Sequence, residues 1–167
     1  MNTQSLLIDN VLFAKRGEHL SGELSVEQCA RLVGLLPLAS MEKGMGSIHY
    51  TLDGNEDAAG CLFLHLTVEV NLMVTCQRCL NPMPLSLDLQ FNYLVSDQDV
   101  DNEDWDDNDE CDIQEPSSVM DLIALIEDEL IIALPIAPMH ESACGSGVTQ
   151  SGERPNPFAV LKGVIKT

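Results

Sequence analysis

The chain has 167 residues, room for one domain with tails, and 45% of them are apolar, enough for a packed core. Aromatic residues supply only 4%, so that core must be aliphatic, and no apolar run approaches the roughly 18 residues of a membrane span. A net charge of -19 argues against a broad basic face for nucleic acid, because phosphate repulsion would act over most of the surface.

The opening stretch MNTQSLLIDN lacks the basic and long apolar regions of a signal peptide. A cytoplasmic location is therefore expected, where the six cysteines stay reduced rather than forming a disulfide framework. Residues 20–36 predict a strand end and then a short helix. Ser25 and Gln28 form a capping box, Val26, Ala30, Val33 and Leu36 recur at helical spacing, and Pro37 stops the helix.

Residues 46–75 predict a β-hairpin turning at Asp53-Gly54. Its second arm alternates, with Leu62, Leu64, Leu66, Val68, Val70, Leu72 and Val74 on one face. Residues 83–95 alternate in the same way, so the stretch CQRCLNP, residues 76–82, falls at the tip between two long antiparallel strands. Residues 96–116 are mostly acid and amide and predict a mobile loop. Their alternating acids brush against a calcium-loop pattern from Asp99 to Glu110, but Asp104 stands where that loop needs glycine.

A helix is expected over 118–134, capped by Ser118, with Asp121 at its third position and Pro135 at its end. It is apolar on nearly every side except at Glu127, Asp128 and Glu129. Consecutive helical residues point about 100° apart, so the three acids cannot share one solvated face. At least one should lie at the edge of the core and need a partner. Arg78, the one base in the middle of the chain, is the expected partner, with Glu129 first. Residues 141–155 read as a linker. NPFAVLKGVIK then predicts a terminal helix, with Asn156 as N-cap, Pro157 at its first position and Phe158 opening an apolar stripe.

Cys76 and Cys79 alone are a weak metal signal, since zinc takes four ligands. His140 and Cys144 would complete a Cys3His set if the helix packs on the hairpin. Three readings of the tip stay open: reduced thiols with no metal, a Zn2+ site, and a redox pair. The redox pair has least support, because such pairs open helices and this one lies between strands. Cys29 and Cys61 read as core or near-core residues, and Cys111 as a loop residue. Catalytic motifs are missing: no glycine-rich phosphate loop, no GxSxG, no His-Glu-x-x-His. Three adjacent acids on a helix do not converge on one Mg2+, so a metal-dependent nuclease is the remotest reading and no enzyme is expected.

VTCQRCLNPM (74–83), DLIALIEDELIIALPIAPMH (121–140) and RPNPFAVL (154–161), with the acidic stretch between the first two, resemble the YceD family in its proteobacterial form. The resemblance spans roughly residues 5–167 and is loose over the first 60. It implies a role in accumulation of 23S ribosomal RNA, through synthesis, processing or stability, without an established enzymatic activity or defined catalytic residues. Relatives outside the proteobacterial type often carry more cysteines after the helix, where this chain keeps only Cys144 with His140.

The expected architecture is one α+β domain over 1–140. A curved antiparallel sheet or partly closed barrel is covered by one long helix, with the mobile acidic loop 96–116 within it. A linker and C-terminal helical arm follow over 141–167. The expected function is non-enzymatic support of large-subunit biogenesis. An acidic surface would bind a basic ribosomal protein or pre-50S assembly intermediate, so that 23S rRNA is affected indirectly and no membrane is involved. Direct rRNA contact through Arg78 and the terminal lysines is the alternative. The partner-binding residues expected on this reading are Arg78, Glu127, Asp128, Glu129, Asn156, Pro157 and Phe158.

Overall fold

The computed structural model describes residues 6–37, 46–96 and 111–144. Most of the acidic stretch (97–110), with its calcium-like pattern, lies outside the described residues, and so does the arm bearing Asn156, Pro157 and Phe158.

A five-stranded sheet in the order β2-β3-β4-β5-β6 organises the chain. Its strands are β2 (His19–Ser25), β3 (Ser47–Glu56), β4 (Leu62–Thr75), β5 (Pro82–Val95) and β6 (Asp112–Gln114). The first four are antiparallel neighbours, and β6 runs parallel to the end of β5. A small second sheet pairs β1 (Leu7–Ile8) with β7 (Met120–Asp121). Among the described residues the large sheet is open and no pairing closes it into a barrel.

The predicted alternation holds. Leu64, Leu66, Val68, Val70, Leu72 and Val74 of β4 are buried on one face, beside Ile48, Tyr50 and Leu52 of β3. Each such side chain removed from water contributes about 1.5–3 kcal/mol, so this stripe fixes the register of the whole sheet. Three helices pack near it: α1 (Asn10–Lys15), α2 (Ala30–Val33) and α3 (Leu122–Ala133).

Four expectations need correction. Asp53-Gly54 is not the turn, because β3 runs through it and the chain reverses at residues 57–60. There Asp57 accepts from the Ala59 and Cys61 amides and Gly60 takes a positive φ of 87°. Gly54 answers to packing instead: a Cβ there would lie 2.6 Å from the Phe13 carbonyl oxygen, so glycine lets α1 approach the strand. Second, the helix expected over 26–36 is broken at Cys29 (φ -94°, ψ 80°) into a capped 3-10 turn, Val26–Gln28, and the short α2. The break shifts the phase, so Leu32 is buried and Ala30 is exposed.

Third, α3 is shorter than 118–134. Asp121, not Ser118, is its N-cap and accepts from the Ile123 and Ala124 amides at 3.0 and 3.4 Å. A two-residue β7 comes first because the Leu122 amide donates to the Leu6 carbonyl (2.9 Å), closing the small sheet on β1. Buried Asn10 fixes this region from below, bonding the Glu115 carbonyl and the Ser117 amide at 2.8 Å each. Fourth, the acidic stretch does not stay a loop to 116, since residues 112–114 form β6.

Candidate metal centre

The β4–β5 hairpin carries CQRCLNP at its tip, as the alternation requires. The Cys76 amide donates to the Asn81 carbonyl (2.9 Å) and the Leu80 amide to the Cys76 carbonyl (2.8 Å), which winds the tip into a tight knuckle. Leu80 takes the left-handed conformation, φ 61°, that a non-glycine residue adopts only under constraint. On the other side, α3 ends at Ala133, two residues before Pro135, and the following segment folds back. There the Gln77 amide donates to the Pro138 carbonyl at 2.8 Å.

That crossing brings His140 and Cys144 to the knuckle. The donor atoms of Cys76, Cys79, His140 and Cys144 all lie within 4.8 Å of one another. Cys76 Sγ is 3.5 Å from Cys144 Sγ, Cys79 Sγ is 3.5 Å from His140 Nδ1, and His140 Nδ1 is 3.2 Å from Cys144 Sγ. Bonds of about 2.3 Å to sulfur and 2.0–2.1 Å to nitrogen place tetrahedral donors about 3.5–3.8 Å apart. The separations are close to that scale and far from the roughly 2.05 Å of a disulfide. No disulfide involves any of these cysteines.

The electrostatics favour a charged donor set. Burial pushes the Cys76 thiol up, but backbone hydrogen bonds with Cys79, His140 and Arg78, and the contact with Cys144, together bring it down to about 5. Burial also opposes ionisation at Cys144, yet the Arg78 guanidinium, whose Nε donates to its sulfur at 3.2 Å, holds it below the ordinary thiol range. Cys79 moves upward: its backbone bond with Asn81 is outweighed by burial and by the neighbouring thiols. The thiols of Cys144 and Cys76 raise His140. Two sulfurs are thus prepared as thiolates beside an imidazole, a donor set suited to a borderline-soft divalent ion such as Zn2+.

Arg78 does not meet Glu129. Its exposed guanidinium donates instead to the His140 carbonyl (3.0 Å), the Ser142 carbonyl and Cys144 Sγ, so it fastens the returning segment to the tip. The acid triplet divides as helical geometry demands. Glu127, only 7% exposed, accepts from the Arg31 and Leu32 amides at 2.6 and 3.2 Å and pairs with Arg31 Nε at 2.7 Å. Exposed Asp128 meets the same guanidinium at 2.5 Å, while Glu129 accepts from the Tyr93 hydroxyl at 2.7 Å. The partner of the buried acid is thus Arg31, 96 residues earlier in α2 and reached through tertiary packing, and not Arg78. Cys29 is buried as expected, with burial and then Glu127 pushing its thiol up to about 11. Cys61 lies exposed at the β3–β4 turn instead of near the core.

No helix among the described residues is long and apolar enough to cross a membrane. A family model described as "Large ribosomal RNA subunit accumulation protein YceD" matches residues 64–164. A protein of Haemophilus influenzae with that same description is 30% identical over 172 aligned residues, covering 93% of this chain and 92% of its own length. No solved structure matches the chain.

Proposed function

The chain belongs to the YceD family, whose description is large ribosomal RNA subunit accumulation, and from that membership we propose a non-enzymatic role in large-subunit biogenesis. On this reading the chain supports synthesis, processing or stability of 23S rRNA indirectly. Its acidic surface holds a basic ribosomal protein or a pre-50S assembly intermediate, and the RNA survives because assembly proceeds.

The observation that carries the indirect reading is the fate of the described arginines. Arg16 pairs with Glu18, Arg31 is clamped by Glu127 and Asp128, and Arg78 donates to the segment returning to the knuckle. Each of these arginines already has acceptors of its own within the chain, and the chain as a whole carries a charge of -19, which opposes phosphate. A cationic protein meets attraction over the same surface that would repel RNA. The division of Glu127, Asp128 and Glu129 among separate partners likewise supports a non-catalytic role, since these carboxylates do not converge on one ion. The knuckle takes Zn2+ as a structural ion in this proposal, fastening the hairpin tip to the segment behind α3.

The test is a low-salt pull-down of the tagged protein from cells, with and without ribonuclease, followed by identification of protein and RNA. A basic large-subunit protein that survives ribonuclease, and whose capture weakens as salt rises, is the expected result. Loss of every partner with the RNA would overturn the indirect reading in favour of direct rRNA contact.

A further inference from the structure

β5 forms the long border of the sheet. It pairs with β4 over residues 82–94, but on its other side β6 covers only residues 93–95. Among the described residues no strand pairs with the border before Tyr93. Two observations fix which main-chain groups point outward there. The Ser96 amide donates across this border to the Gln114 carbonyl at 3.1 Å. Pro84, opposite Met73 of β4, has no N–H to give to β4. Main-chain groups of a strand alternate between its two sides. Ser86, Asp88, Gln90 and Asn92, in phase with both, therefore direct N–H and C=O outward.

The side chains beside these groups narrow what fits. On the inner face Leu85, Leu87, Leu89 and Phe91 are only half-buried, whereas the β4 residues they face are buried. The cover over the sheet thins out at β5, and one more strand would complete it. On the outer face Asp88 stands directly opposite Glu69, both exposed. Like charges so placed repel, and no described lysine or arginine pairs with either. A cation on a strand added beside Asp88 relieves that repulsion. The opposite border, β2, is half as long and holds Gly22 at its centre, so it offers less.

We propose that the border 86–92 takes up an extended segment of a protein partner by strand addition, a segment in which apolar residues alternate with lysine or arginine. Its apolar residues cover Leu85, Leu87, Leu89 and Phe91, and its cations meet Asp88 and Glu69. Main-chain bonds supply affinity and the alternation supplies selectivity. A second copy is disfavoured on charge, since it brings another Asp88 and another net charge of -19. The inference rests on the reading of an acidic surface that holds a basic protein, and it names where and in what conformation the partner is held.

The probe is the peptide acetyl-KVKVKVK-amide, whose pattern reads alike in both directions, added to the full-length protein at low salt. The control has the same composition in the order KKVVVKK. Hydrogen exchange resolved by residue is the readout. In the free protein the amides of residues 86, 88, 90 and 92 should exchange freely, while those of 85, 87, 89 and 91 are protected. The probe should protect the first set at least about tenfold, and the control should not. Gln90→Pro removes one outward N–H in the phase where Pro84 already sits, and Asp88→Lys sets a like charge against the probe. Each should weaken probe binding at least about fivefold. Outward amides already protected in the free protein, equal protection by the control, or binding that neither variant weakens overturns the inference. In cells, Gln90→Pro should lose the basic protein that the unaltered chain captures. Undiminished capture by that variant overturns this inference alone, whereas an unaltered chain that captures no basic protein overturns the proposed function as well.

Discussion

At the scale of single residues, the knuckle gathers three thiols and an imidazole that could hold a metal ion. The fold lowers the Cys76 thiol to about 5, against an ordinary value of 9.0. A folded value below the unfolded one means that the thiolate's contribution to stability is fully present above about pH 9. It is lost as pH falls through about 5. The purified protein should therefore carry about one Zn2+ per chain by elemental analysis and release it on acidification through that range. Cys144→Ser should lower zinc content and thermal stability together, whereas Cys61→Ser, at an exposed turn, should change neither. Zinc-free protein that melts as the loaded protein does would remove the structural role. The cluster of four was legible in the sequence because each half has its own local spacing, Cys76 with Cys79 and His140 with Cys144. The role of Arg78 was not, because a guanidinium can serve backbone carbonyls as readily as carboxylates, and spacing does not distinguish them.

At the scale of elements, the contact between α2 and α3 depends on one buried carboxylate. Glu127 satisfies two amides at the start of α2 and a guanidinium, so it acts as a cap supplied from another helix. Glu127→Ala should destabilise the protein by about 3 kcal/mol, since it strands buried donors, and Asp128→Ala by less than about 1 kcal/mol, since that pair is exposed. Urea denaturation of the two variants checks the contrast, and equal losses would refute it. The sequence announced that one of the three acids must be half-buried, because 100° steps leave no other arrangement. It pointed to Glu129 where the buried acid is Glu127, because the partner, Arg31, lies 96 residues away in α2 and only tertiary packing brings it close. The misplaced first hairpin turn has a similar origin. Asp53-Gly54 and the stretch Asp57–Gly60 carry the same local turn chemistry, and only the approach of Phe13 assigns the first glycine to packing.

At the scale of the molecule, the long alternation of β4 and β5 made the sheet readable, and the net charge of -19 argued against a broad basic face. What stayed illegible was topology, above all the parallel β6. Tyr93, Leu94 and Val95 pair with Asp112, Ile113 and Gln114, so the chain leaves β5 and must travel back to run alongside it in the same direction. An antiparallel neighbour can be joined by two residues, but a parallel one needs on the order of a dozen to make the return. The acidic stretch is therefore a span with a floor and almost no ceiling. Deep shortening would unseat β6 from the edge of the sheet. Lengthening is nearly free, since each doubling adds only about 0.6 kcal/mol of closure entropy. Such a span can gain or lose acids at its middle while the architecture on either side stays fixed, which leaves the quantity of negative charge adjustable independently of the fold that carries it.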